Sequence, residues 1–188
     1  PAPPKEAASL SAPRISLGRF SWRGARFEFR DEAVAPPATL SVEDAGLEMT
    51  GLRVDLAGEA PPPAALRAWL AAPSLGSLSA SGSIVASTRS PAVDLDIAGK
   101  AITLQAAAAH LRAAGIEPVL RDGSLRAHLG ARAAIGEGGT SADLSVEGFA
   151  FADGGEELIG LDALRVKGAA VGPGGVEVEA VEVVAPRA

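Results

Sequence analysis

The stretch GARFEFRDEAVAPPATLSVEDAGLEM, residues 24–49, alternates apolar and polar side chains on both sides of a proline pair. Phe27 and Phe29 flank a glutamate, and the alternation resumes at Leu40 and Val42 beyond the prolines. Successive side chains of a β-strand point to opposite faces of a sheet, so the stretch predicts two strands that share an apolar side. The chain is therefore expected to build a sheet with one dry face.

The same period of two recurs through most of the chain, whereas two segments favour helices. Leu66, Trp69 and Leu70 follow a proline run at the helical spacing i, i+3, i+4, which predicts a short amphipathic helix ending before Pro73. A second helix is predicted from the alanine-rich run near 103–114. Strands that alternate are typical of antiparallel sheets. We therefore expect a mainly β (α+β) fold, either a curved antiparallel sheet or two packed sheets, with two short helices.

The composition divides the chain into a lead-in and one domain. Residues 1–13 are rich in proline and predict a flexible lead-in, and residues 14–188 predict a single β-rich domain. ISLGRFSW at 15–22 and LSVEGFAF at 144–151 share an apolar-Ser-apolar start and an aromatic pair at the end. This echo predicts two related halves, 14–98 and 116–188, joined by the helix near 103–114.

Charge and cysteine content exclude several classes of protein. The formal net charge is −6, and a nucleic-acid-binding protein normally presents a basic face. The absence of cysteine excludes disulfides, thiol catalysis and cysteine zinc sites. No apolar run reaches the ~20 residues of a membrane span. Because the first residue is not methionine, any anchor or export signal of a longer protein would lie outside this sequence.

No motif in the sequence names a reaction. His110 and His128 lack the HExxH or HxH spacing of metal ligands, and Asp94 with Asp96 has the i, i+2 spacing of a solvated strand face. The glycines and serines form no phosphate loop or nucleophile elbow. We expect no catalytic residue, no metal site and no cofactor, and hence a protein that is not an enzyme.

The aromatic side chains are the strongest candidates for a functional surface. They form three pairs with strand spacing, namely Phe20 and Trp22, Phe27 and Phe29, and Phe149 and Phe151. Such pairs supply core where alanine buries little, or they form an apolar wall of a groove that holds acyl chains. Both interpretations need the same alternation and differ only in whether something covers the face.

The opening stretch resembles the repeat units of the AsmA-like superfamily of bacterial envelope proteins, which includes relatives of AsmA and TamB. The match spans roughly residues 14–187. In those units a strand ends in an aromatic residue and an aspartate, and a proline pair and a further alternating strand follow. The positions that carry the match are Gly24, Phe27, Phe29, Asp31, Pro36, Pro37, Leu40 and Val42. By this resemblance, Asp31 with Pro36 and Pro37 forms a turn at a unit boundary.

The resemblance implies a periplasmic module whose parent protein is anchored in the bacterial inner membrane. Its implied role is outer-membrane assembly or phospholipid transport through an apolar β-sheet groove. The implied partners are phospholipid acyl chains, neighbouring units of the same long chain, or other envelope proteins, with no nucleic acid. No catalytic residue belongs to the family pattern. The main alternative is a closed β-sandwich that acts as a spacer or a protein-binding module without lipid; a carbohydrate-active enzyme on a β scaffold is a third.

Overall fold

The computed structural model describes residues 14–34, 36–55, 60–117, 119–136, 139–172 and 175–188, so the predicted lead-in 1–13 lies outside the described residues. The described chain forms ten strands and one short α-helix. The strands are β1 (Arg14–Asp31), β2 (Ala38–Asp55), β3 (Ala64–Ala72), β4 (Gly76–Val85), β5 (Ala92–Ile102), β6 (Gly123–Gly136), β7 (Gly139–Asp153), β8 (Glu156–Gly172), β9 (Gly175–Glu177) and β10 (Ala180–Val184). A 3-10 turn at Gln105–Ala107 precedes the helix α1 (Ala108–Ala113).

All ten strands belong to one open antiparallel sheet. The order is β1-β2-β3-β4-β5-β6-β7-β8-β10, and β9 pairs with the same edge of β8 as β10 does. From β1 to β9 each strand therefore lies beside the one before it in sequence, as short connections favour, whereas β10 lies beside β8. The mainly β, antiparallel prediction is confirmed, and the version with two packed sheets is wrong, since the described strands form a single sheet that does not close.

The first two strands are longer than the sequence pattern suggests. Each has 18 residues, and β1 includes both the Phe20–Trp22 and the Phe27–Phe29 segments, which alternation alone presents as separate strands. The register shifts on either side of Ala25, and Gly24 has a φ of +69°. An extra residue of this kind forms a β-bulge, which re-aims the side chains without ending the strand. The break in the alternation is thus a bulge and not a turn.

The predicted helix at Leu66, Trp69 and Leu70 is wrong, because these residues lie in β3. Positions i and i+4 share a face in a strand as well as in a helix, so Leu66 and Leu70 fit both structures. Only Trp69 separates the two, and it lies opposite Gly46 and Ser79, one position out of step with the leucines. Tertiary pairing with two neighbouring strands decides the conformation here.

The second predicted helix exists in a shorter form. It consists of the 3-10 turn and the six residues of α1, and it connects β5 to β6, which are neighbours in the sheet. Gly115 ends it with a φ of +76°. No helix in the described part of the chain is long and apolar enough to cross a membrane. The division into two related halves around this helix stays a prediction.

Candidate functional site: an open apolar sheet face

The strand register joins apolar side chains into continuous rows across the sheet. Residues directly opposite each other on antiparallel strands lie on the same face. Following the register from β1 to β10 gives one unbroken row: Phe20, Met49, Leu66, Gly82, Leu95, Leu129, Val146, Leu164 and Val183. A parallel row reaches β8: Ala25, Ala45, Leu70, Leu78, Gly99, Leu125, Phe151 and Ile159. We call the side that carries these rows the apolar face.

The rows between them carry polar and charged residues, and we call that side the polar face. One such row again crosses the whole sheet: Arg19, Thr50, Ala65, Ser83, Asp94, Gly130, Ser145, Arg165 and Glu182. The next is Ser21, Glu48, Arg67, Ser81, Asp96, His128, Glu147, Ala163 and Val184. The two faces of this sheet therefore differ in chemistry from one edge to the other.

Most of the apolar face has no covering layer among the described residues. Phe29 is 61% exposed, Trp22 54% and Phe27 51%. The hydrophobic residues that are buried are almost all alanines, and Val42 is the single large side chain that is fully buried in the described structure. Large aromatic side chains normally dominate burial in a core. Here they face outward, so the apolar face is a surface and not the interior of a two-layer domain.

The structure places the six predicted aromatic residues on this face in two groups. Four lie on the edge strand β1, opposite residues of β2: Phe20 faces Met49, Trp22 faces Leu47, Phe27 faces Val42 and Phe29 faces Leu40. Phe149 and Phe151 lie on β7, opposite Leu161 and Ile159 of β8, and both are half-buried. Six strand spacings separate β1 from β7, which is roughly 29 Å. The aromatics thus flank an aliphatic middle and do not form one cluster.

The predicted turn at Asp31 ties the end of β1 to the helix. Oδ1 of Asp31 accepts a hydrogen bond from the Ala33 N–H at 2.8 Å, and Oδ2 lies 2.8 Å from Nε2 of His110 in α1. The backbone N–H of Ala33 and then the His110 bond hold the pKa of Asp31 below its ordinary value. Pro36 and Pro37 lie exposed in the β1–β2 connection. Their role as a unit boundary stays a prediction.

One corner of the apolar face is covered. The 3-10 turn and α1 contact β2, and the buried residues Val42, Ala45 and Ala72 lie in this part of the sheet with Leu75 packed against them. The backbone N–H of Ala106 also donates to the Ser74 carbonyl at 3.1 Å. We call the group Val42, Ala45 and Ala72 the covered corner. A two-turn segment is too small to cover more of a nine-strand face.

Trp69, the second tryptophan, lies on the polar face and makes specific contacts there. Trp69 Nε1 donates to Oδ2 of Asp44 at 2.9 Å, and the Arg67 guanidinium lies 5.8 Å from the ring centroid. The ring lies over Gly46, where an added Cβ would overlap the indole. The sequence assigned Trp69 to the apolar stripe of a helix, so it missed this arrangement. Asp44 opposite Ala71 and Gly46 opposite Trp69 become visible only with the register.

The polar face has a shallow cavity of about 490 Å³ whose walls include His128, Arg132 and Lys167. His128 lies between two carboxylates of β5, with Nδ1 3.0 Å from Asp96 and Nε2 3.5 Å from Asp94. The hydrogen bond to Asp96 raises the pKa of His128, and the charge of Asp94 adds to this. In the described part of the chain no three histidine or acidic side chains are arranged to hold a metal ion.

The sequence alone predicts no link between His128 and the Asp94–Asp96 pair. The alternation placed both aspartates on a wet face, which the structure bears out. Their distance to His128 depends on the β5–β6 register, which no local pattern contains.

Comparison with known proteins adds no relative: no family model, no curated protein and no solved structure matches this chain.

Proposed function

We propose that this chain is a non-catalytic module that shields phospholipid acyl chains on its apolar face. The observation that carries the proposal is the unbroken row from Phe20 to Val183, which crosses nine strands without a polar side chain. The two apolar rows together span roughly 550 Å² of sheet when strand and residue spacings are used. Exposed apolar patches above a few hundred Å² mark interaction sites.

Acyl chains suit this face because it offers area without polar anchors. An acyl chain of ~16 methylenes with half its surface covered gains roughly 6 kcal/mol from burial, before the cost of ordering. The middle of the face consists of leucine, isoleucine, valine and alanine, which impose no directional contact. The two apolar rows contain no charged or polar side chain, so along them the face selects for the lipid tail.

The wider setting of the proposal is that of an AsmA-like envelope protein. In that setting the chain is one periplasmic unit of a longer protein held at the inner membrane, and its face continues a path for phospholipid between membranes. The support is the pattern of Gly24, Phe27, Phe29 and Asp31 and the single-layer sheet that bears it. A second candidate is a protein-binding module, favoured by the same exposed aromatics on β1, since aromatic residues are enriched at protein interfaces.

Neighbouring residues on opposite faces provide a matched test of lipid binding. Trp22→Glu places a carboxylate on the apolar face, and Ser21→Glu places one on the polar face a single residue away. We expect purified wild-type chain and the Ser21→Glu variant to retain phospholipid in solvent extracts and to bind a dye-labelled phospholipid. The Trp22→Glu variant should lose at least tenfold in binding. Equal binding by both variants, or a lipid-free wild type that binds no labelled lipid, would reject the proposal.

A further inference from the structure

The two edges of the sheet carry opposite charge. The edge strand β1 has five arginines against two carboxylates, a formal charge of +3. The opposite edge, residues 175–184, has three glutamates and no cation, a formal charge of −3. The outer side of β1 and the outer side of β10 each lack a neighbouring strand within the described residues. An unpaired edge exposes backbone N–H and C=O groups that bind another strand, and proteins normally protect it.

From these edges we propose that β1 of one copy pairs with β10 of a second copy, in a side-by-side assembly. The charges favour this pairing over its alternatives. A β1–β1 contact would bring +3 against +3, and a β10–β10 contact −3 against −3, and like charges directly opposite destabilise a strand pair. The opposite-edge contact instead places arginines beside glutamates.

The rows also match at the two edges. The row that begins at Arg19 ends at Glu182, the row that begins at Phe20 ends at Val183, and both are unbroken. A second copy placed beside the first without a shift would therefore set Glu182 next to Arg19 and Val183 next to Phe20. Both the apolar face and the polar face would continue across the seam.

The direction of the new strand pair follows from the number of strands. Nine strands lie side by side from β1 to β10 and each is antiparallel to the next, so β1 and β10 run in the same direction. The seam is therefore a parallel pair if the apolar face is to continue. Such a contact uses two different edges and leaves one of each free, so it grows into a series of oligomers and does not stop at a dimer.

The side chains of Arg19 and Glu182 differ in their contacts within the described chain. Glu182 accepts a hydrogen bond from Nη1 of Arg165 at 3.1 Å, whereas the Arg19 guanidinium has no partner in the described structure. Arg19 is therefore available for a carboxylate of another copy without breaking an existing pair. The assembly does not depend on lipid, and it concerns the strand edges and not the apolar face.

Cysteine cross-linking tests the seam, because the chain has no cysteine of its own. Ser21 and Val184 end the same polar-face row on opposite edges. The Ser21→Cys and Val184→Cys variants are mixed at low salt, in a non-ionic detergent that covers the apolar face, and joined with a short bis-maleimide. We expect the mixture to give at least tenfold more cross-linked dimer than either variant alone. Ser21→Cys mixed with Ser81→Cys, whose cysteine lies mid-sheet in the same row, is the matched control.

A charge-exchange series in the same assay tests the electrostatic argument. Arg19→Glu should lower the yield of the Ser21→Cys and Val184→Cys mixture about threefold, and Glu182→Arg in the partner should restore it. Lys100→Glu, at an exposed position away from both edges, should change nothing. Equal yields with the Ser81→Cys control, dimers of Ser21→Cys alone that match the mixture, or no dimer in any mixture would overturn the proposal. Failure here would leave lipid retention by the Ser21→Glu variant unchanged, so the two proposals can fail separately.

Discussion

The covered corner and the rest of the apolar face have the same chemistry but opposite exposure. Val42 is 2% exposed, whereas Phe29, two residues beyond its neighbour Phe27 in the same face, is 61% exposed. The difference is the segment of the 3-10 turn and α1, which contacts β2 and, through His110, the end of β1. Burial in this molecule is thus set by what lies over the sheet, and most of the face has no covering layer among the described residues.

We expect the largest difference in stability when the same carboxylate is introduced at Val42 and at Phe29. Val42→Asp buries a carboxylate in the covered corner, so we expect a loss of about 4 kcal/mol or more in the free energy of unfolding. Phe29→Asp places the same group where water reaches it and should cost under about 1 kcal/mol. Urea denaturation of both variants measures the difference. A Phe29→Asp variant as unstable as Val42→Asp would show that the open face is covered in solution.

A smaller loss of stability is expected from a substitution at Gly46, which lies on the polar face beside the covered corner. Gly46→Ala introduces a methyl group into the Trp69 ring, and overpacking of this kind costs about 1–3 kcal/mol. The backbone itself allows alanine, since Gly46 has no positive φ. Replacing Trp69 with leucine in the same chain should remove most of the penalty. An equal penalty with and without the indole, measured by thermal or urea unfolding, would contradict this packing.

The smallest effect concerns the Asp31 contact that holds α1 near β1. A carboxylate whose pKa is lowered on folding stabilises the folded state above its unfolded pKa, and this contribution is lost as the pH falls through the lowered value. The wild type should therefore melt above Asp31→Asn at pH 6, and the gap should begin to narrow near pH 4 and close once the pH is below the lowered pKa of Asp31. Asp122→Asn removes an exposed carboxylate elsewhere and is the control. A gap that persists at pH 2 would mean that Asp31 acts through packing.

The sequence predicts the faces of this sheet better than its elements. Alternation correctly grouped Phe20 with Trp22 and Phe149 with Phe151, because side-chain direction in a strand is a local property. It did not show that the Phe20–Trp22 and Phe27–Phe29 segments form one strand, because a bulge and a turn both interrupt the period of two. It predicted a helix where β3 lies, because Leu66 and Leu70 fit both the helical and the strand period. In each case the deciding contact is a pairing with another strand.

Local sequence patterns also predict only part of the candidate site. The aromatic pairs were visible, but the aliphatic rows that connect them were not, since a row depends on the register of eight strand pairs. The absence of a covering layer is likewise a property of the assembled chain. The contacts of Trp69 with Asp44 and of His128 with Asp96 join residues 25 and 32 positions apart, beyond any local pattern.

The two tryptophans allow the most direct test of the central claim that the apolar face receives acyl chains. Trp69→Phe leaves Trp22 as the only fluorophore on the apolar face, and Trp22→Phe leaves Trp69 on the polar face. Each variant is titrated with a phospholipid brominated on its acyl chain, whose bromine quenches indole fluorescence at contact. We expect strong, saturable quenching of Trp22 and little change at Trp69. Equal quenching of both tryptophans, or none at Trp22, would contradict it.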